Sequence, residues 1–259
     1  MSIANRTFPA DINPPLTAAS LRDGLRDGLI AAGFPPALKS YAVGTDQFAV
    51  WELNLDSTKP YGRAYYRIKV TTALAVTHAV GASWTDSTNT LNNASAETHS
   101  VSYLANVPLK LWGFRSDELL LLSVSQGSLH QLLGYFRFAD APAFDEASFP
   151  KIFISNRNDV DQLHCTSLSP YAPSSVFSTH LNTAAMSFPD SYLQQRSQST
   201  GFFLFGPSNS GIIARSSDDL GQGACSGMVR GDVFQVPGTN PVEQYILLKP
   251  GAGALLIRI

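Results

Sequence analysis

The stretch Leu16-Thr-Ala-Ala-Ser-Leu-Arg-Asp-Gly-Leu-Arg-Asp-Gly-Leu-Ile-Ala-Ala-Gly33 carries the one convincing helix signal in the chain, and its isolation decides the fold class. Thr17 suits an N-cap, because its hydroxyl can accept a bond from an orphan N–H of the first turn. Leu21, Leu25 and Leu29 recur every fourth residue, and Ala18 and Ala32 extend the same stripe. Gly33, which tolerates φ > 0, followed by Phe34-Pro-Pro36, is a strong stop. Gly24 and Gly28 each cost a helix up to ~1 kcal/mol relative to alanine. So narrow a stripe, weakened twice, forms only where it packs on a surface. Two surfaces fit: the body of the chain itself, or a neighbouring subunit.

Working outward toward the N-terminus, residues 1–15 hold Pro9, Pro14 and Pro15 and few large apolar side chains. Such a segment cannot order itself by burying its own surface, and it stays fixed only when tied down. The expectation is an arm that lies on a partner, with Phe8, Leu21, Leu25, Leu29 and Phe34 as the assembly interface.

Working outward toward the C-terminus, the pattern is strands and turns. Residues 118–126 and 129–138 are apolar runs joined by Gly127-Ser128, which suits a two-residue type II′ connection. Residues 202–205 and 212–215 flank a longer Gly/Pro/Ser/Asn loop, and residues 244–248 and 254–259 flank Pro250-Gly-Ala-Gly253. Residues 49–55 and 65–76 are rich in β-branched and aromatic side chains. The reading is a mainly β chain of about ten to twelve strands, an antiparallel β-sandwich-like body with hairpins, preceded by an N-terminal arm and one α-helix. Residues 1–36 form the arm and docking helix, 37–142 a first β region and 143–259 a second, which can be continuous with the first. A boundary is placed near residues 139–150, residues 156–198 read as loops with short strands, and residues 190–198 are a weak second helix candidate.

Composition narrows the function classes. A chain of 259 residues can bury a substantial core. A net charge of −2 with scattered Lys and Arg leaves no basic footprint for nucleic acid. No apolar run approaches the ~20 residues of a membrane helix, and the first fifteen residues lack a signal-peptide core. These features predict a soluble chain made in the cytoplasm, with no membrane insertion.

The motifs that could carry chemistry are weak. Gly223-Ala-Cys-Ser-Gly227 has the spacing of a nucleophile elbow, but no histidine follows it and no clear strand leads into it, so it reads as a tight loop. His164-Cys165 are adjacent, and neighbours on a strand point to opposite faces. Cys165 and Cys225 read as buried free thiols, although a disulfide between them stays open. His78, His99, His130 and His180 show no metal-ligand spacing. Asp140, Asp145, Glu146, Asp218 and Asp219 offer carboxylates without selecting a pair. No catalytic, cofactor-binding or metal-binding residue is assigned, no cofactor is expected, and the chain is read as not an enzyme. Among the aromatics in polar stretches, Tyr61 included, Trp84, Tyr171 and Tyr192 are candidate glycan contacts, set against the plainer role of capping a β core.

The ordered set Asn5-Arg-Thr-Phe-Pro-Ala10, Leu21-Arg-Asp-Gly-Leu-Arg-Asp27 and Ala31-Ala-Gly-Phe-Pro35 resembles the opening of virion tail proteins of tailed phages, cyanophages especially. The end is similar as well, in Gly211-Ile-Ile-Ala-Arg-Ser-Ser-Asp-Asp-Leu220, Asp232-Val-Phe-Gln-Val-Pro-Gly238 and Tyr245-Ile-Leu-Leu-Lys-Pro-Gly-Ala-Gly253. Gln126-Gly127 and Leu133-Gly-Tyr-Phe136 match the middle. The resemblance implies a structural component of the tail, fibre or baseplate, found in the virion tail and assembled in the host cytoplasm. It implies other virion tail proteins as partners, a homo-oligomer such as a trimer, and contact with the host surface. It brings no catalytic residues. On this reading, deleting residues 1–33 leaves the β body folded but abolishes incorporation into particles. Two alternatives belong to other classes: a carbohydrate-binding receptor-recognition module that meets a host surface glycan, and a surface-polysaccharide hydrolase, which needs two placed carboxylates.

Overall fold

The computed structural model describes residues 5–58, 62–117, 119–137, 152–155, 162–165, 177–180, 198–200, 203–205, 212–215, 220–225, 229–236, 243–249 and 251–259. The helix forms over Ala18–Ala32, where the leucine stripe places it. Thr17 caps it by accepting from the Ser20 N–H, and the Ser20 hydroxyl oxygen accepts from the Thr17 N–H, a reciprocal capping box. Gly33 closes the other end at φ 120°, its N–H donating to the carbonyls of Leu29 and Ile30.

The rest is mainly β, in antiparallel sheets. A first sheet holds Lys39–Val43, Asp46–Asn54, Arg63–Val70, Ala75–Gly81 and Val101–Ser102. A central sheet holds Asn5–Thr7, Lys110–Arg115, Leu119–Gln126 and Leu129–Phe136. A C-terminal sheet holds Gln198–Thr200, Leu220–Cys225, Gly251–Arg258, Glu243–Lys249 and Val233–Val236. Another runs Ile154–Ser155, Gln162–His164, Phe177–His180, Phe203–Phe205 and Ile212–Arg215, and a ribbon pairs Ser83–Thr85 with Thr90–Asn92. The three expected hairpins form, and at the first of them Gly127 takes φ 58°.

The helix lies between the first and central sheets. Its leucines share one core with Trp51, Tyr66 and Ile68 on one side and Leu111, Leu122 and Leu133 on the other. The opposite face of the central sheet makes a second core, in which Phe114, Leu121 and Phe136 meet Ile246, Leu255 and Ile257. Leu119–Gln126 is therefore buried along its whole length. Both faces of this strand are covered, which is why the run Leu119-Leu-Leu-Leu122 shows no polar alternation. The result is a β-sandwich-like body with a helix enclosed in one of its layers.

Three expectations change. The described residues alone form 21 strands, many of them two to four residues long, rather than ten to twelve. Residues 65–76 are not one strand: Leu74, at φ 56°, donates its N–H to the Thr71 carbonyl at 2.9 Å and turns the chain into a hairpin. The arm lies along its own chain, with Asn5–Thr7 paired to Lys110–Arg115 and Ile12 exchanging two 3.0 Å bonds with Leu109. Residues 139–150 and 190–197, which held the expected boundary and most of the second helix candidate, lie outside the described residues. On the far side of that boundary Ile152 and Ile154 enter the helix core, and Phe153 enters the second core.

Candidate functional site

Of the five residues expected as an assembly interface, four are inside the molecule. Leu21, Leu25 and Leu29 are 0% exposed, and Phe34 packs edge-on against Trp51, Tyr66 and Tyr135. Their partner surface is the chain's own body, the first of the two surfaces open to the stripe. Phe8 alone stays in solvent, 64% exposed, with its ring edge-on to Trp112 and the Arg6 guanidinium 4.9 Å from its centre.

Trp84 sits in the short ribbon, half-buried on the outer side of the first sheet. Its ring lies 5.6 Å from Tyr41, which stacks on Phe48 at 4.9 Å. Arg67 and Lys69 cover the Phe48 face, at 5.4 Å and 5.9 Å. The indole N–H donates to Asp86, which also binds Lys39 at 2.9 Å. Tyr61, Tyr171 and Tyr192 lie outside the described residues.

His78 is engaged in a buried structural network. His78 Nε2 lies 2.8 Å from the Ser155 carbonyl, which can only accept, so Nε2 carries the proton. Nδ1 then accepts from the Tyr66 hydroxyl at 2.8 Å, and that hydroxyl accepts from the Gly134 N–H at 2.9 Å. Burial pushes the His78 imidazole down to about 3, and the nearby His164 adds to this. The network ties the first sheet, the central sheet and Ile154–Ser155 together with every polar atom paired. His164 is buried, with no hydrogen-bond partner at either ring nitrogen among the described residues, and burial lowers its pKa.

Burial pushes the Cys165 thiol well above its ordinary value, so it carries little thiolate. Of the loop expected over residues 223–227, residues 223–225 instead end a strand, Leu220–Cys225, paired with Gly251–Arg258, and residues 226 and 227 lie outside the described residues. Gly223 and Cys225 sit within a sheet ladder, interrupted by a register shift. Asp140, Asp145, Glu146, Asp218 and Asp219 lie outside the described residues. Among the described residues no group of three or more His, Cys, Asp or Glu is arranged to hold a metal ion.

One concave site was not foreseen. A cleft of about 680 Å³ opens where the helix C-terminus meets the ends of the first and central sheets. Gly33 and Pro35 form one end, residues 52–55 one wall, and Asn5, Arg115, Leu120, Tyr135 and Arg137 the other, with Ser116 and Asp117 at the turn. A Cβ on Gly33 would stand 2.8 Å from the Arg115 Cδ, so the glycine leaves room for the arginine stem. Burial raises the Tyr135 pKa, while the charges of Arg137 and Arg115 oppose it. Single arginines far apart in sequence gave no motif to read; only strand register brings them together. Compared with known proteins, the chain matches no family model and no curated protein. What stands without them is the mainly β, sandwich-like architecture.

Proposed function

We propose that the chain is a structural component of a phage virion, tail-associated and of fibre or baseplate type, working through protein–protein contacts. The observation that carries this reading is the ordered likeness of its sequence motifs to tail proteins of tailed phages. Where described, those motifs fall on packing elements. Residues 21–27 build the enclosed helix, residues 133–136 close the central hairpin, and residues 245–249 form a strand of the C-terminal sheet. Motifs spread over packing elements support a role exerted through shape and assembly rather than through one chemical centre. The partners are other virion tail proteins and further copies of the chain, as a trimer, and its place is the virion tail. With the leucine stripe enclosed, exposed Phe8 and its neighbours Arg6 and Trp112 are what remains of the expected assembly surface.

Gold-labelled antibody against the chain, applied to particles released from producing cells, tests the reading. Label on particle tails is the expected result; particles free of the chain, or label confined to the head, rule it out. A second reading, a carbohydrate-binding receptor module, is favoured by the aromatic group of Trp84, Tyr41 and Phe48. Saturable binding on a glycan array, lost on Trp84→Ala, supports it.

A further inference from the structure

The register of the central sheet aligns Asn5 with Arg115, Arg115 with Leu120, and Leu120 with Tyr135. Residues directly opposite one another in an antiparallel ladder share a face. These four side chains therefore form one row across all four strands, and all four line the cleft beneath the helix C-terminus. Arg137, two residues beyond Tyr135, lines it too. Neither guanidinium has an ion-pair or hydrogen-bond partner among the described residues. Two cations on one concave wall both attract an anion that lies between them. Guanidinium forks match a carboxylate in two-point geometry.

The remaining lining narrows the anion. Glu52, held by Arg63 at 3.2 Å, and Asp117 bring negative charge to the same cleft, which disfavours a multiply charged ligand. Asn5 and Asn54 suit hydroxyl groups, because an amide side chain both donates and accepts. Pro35, Leu53, Leu55 and Leu120 supply apolar surface for C–H faces, and the Tyr135 ring lies among them. The volume of about 680 Å³ is that of a small-ligand site.

We propose that this cleft binds a saccharide bearing a single carboxylate, of the uronic-acid class, with Arg115 and Arg137 holding the carboxylate and Asn5 and Asn54 holding hydroxyls. The site is distinct from the Trp84 group, and it stands or falls independently of the virion reading, because binding is measured on the isolated chain.

The test is a titration of the full-length chain with a disaccharide containing one glucuronic acid, followed by calorimetry and by amide chemical shifts. The neutral glucose counterpart, inorganic phosphate and a glutamate dipeptide are run in parallel. Saturable binding of the acidic disaccharide is expected, with amide shifts concentrated at Asn54, Ser116 and Arg137 and no saturation by the neutral sugar. Arg137→Gln and Arg115→Gln are each expected to weaken binding about tenfold or more, the cost of losing one charged hydrogen-bond partner. The shift pattern in the unaltered chain decides the matter if a variant does not fold. Phosphate or the dipeptide binding as tightly as the disaccharide would show a generic anion site and overturn the proposal. No saturation, or shifts mapping elsewhere, overturns it as well.

Discussion

At Gly28 the residue that weakens the isolated helix is what lets the helix reach its place. A Cβ there would stand 2.8 Å from Leu111 Cδ1 and 3.0 Å from Leu122 Cδ2, so at the present spacing of helix and central sheet those leucine ends would have to shift to admit one. Helix propensity favours alanine by up to ~1 kcal/mol, whereas an extra methyl in a packed core costs about 1–3 kcal/mol. Gly28→Ala is therefore expected to lower stability by about 1 kcal/mol in urea denaturation; a more stable variant would show that the leucines yield freely. His78 has the clearest consequence for pH. Its folded pKa, pushed to about 3, lies below the ordinary imidazole value of 6.5. The unfolded chain therefore binds the proton more readily between those two values. The stability of the neutral form is complete above pH 6.5 and is lost as pH falls toward 3. This one group contributes a slope of at most about 1.4 kcal/mol per pH unit. His164 and His130, also lowered by burial, act in the same direction. Denaturation midpoints measured from about pH 7.5 to about pH 4 are expected to fall, and His78→Gln to fall less steeply from a lower starting stability. An unchanged slope in that variant would assign the acid sensitivity elsewhere.

At the scale of elements, the helix is a part of the core that carries its own entry signals. Thr17 and Ser20 satisfy the first turn, and Thr17→Ala is expected to cost about 1 kcal/mol. Leu25 is wholly enclosed between two sheets, so Leu25→Ala is expected to cost about 2–5 kcal/mol. Both are read from thermal or urea unfolding, and a cost for Leu25→Ala below that of the exposed cap would contradict the enclosure. The enclosure also reverses the outcome first expected for deleting residues 1–33. Removing them strips Leu21, Leu25 and Leu29 from Trp51, Tyr66 and Leu122 and takes Asn5–Thr7 off the central sheet. The truncated chain should aggregate or bind a hydrophobic dye, and a soluble, natively folded product would restore the docking helix.

At the scale of the whole molecule, the central sheet is common to both cores. Adjacent residues of one strand serve different sides: Leu121 meets Ile246 and Ile257, while Leu122 meets the helix. Arg230 adds a polar tie, donating to the Ser123 carbonyl and hydroxyl and to Ser125, with its guanidinium 4.4 Å from the Trp112 ring. A chain divided near residue 142 would unfold in two steps. Because both cores share Leu119–Gln126, one calorimetric transition is expected, and Leu121→Ala and Leu122→Ala should each shift it. Two resolved transitions that respond separately to these substitutions would establish two units.

Elements whose causes are local can be read from the order of residues alone. The helix and its ends follow from the four-residue leucine spacing, Thr17 and Gly33, and the hairpins follow from paired apolar runs around turn residues such as Gly127. The same order also requires that the stripe be covered, because an isolated helix so interrupted does not hold. What covers it was decided only by the tertiary structure. Trp51 and Leu122 are far from Leu25 along the chain, and their meeting depends on how two sheets close around the helix. The cleft has the same origin: Asn5, Arg115, Tyr135 and Arg137 come from separate stretches of the chain, and long-range register, which no local pattern encodes, sets them side by side.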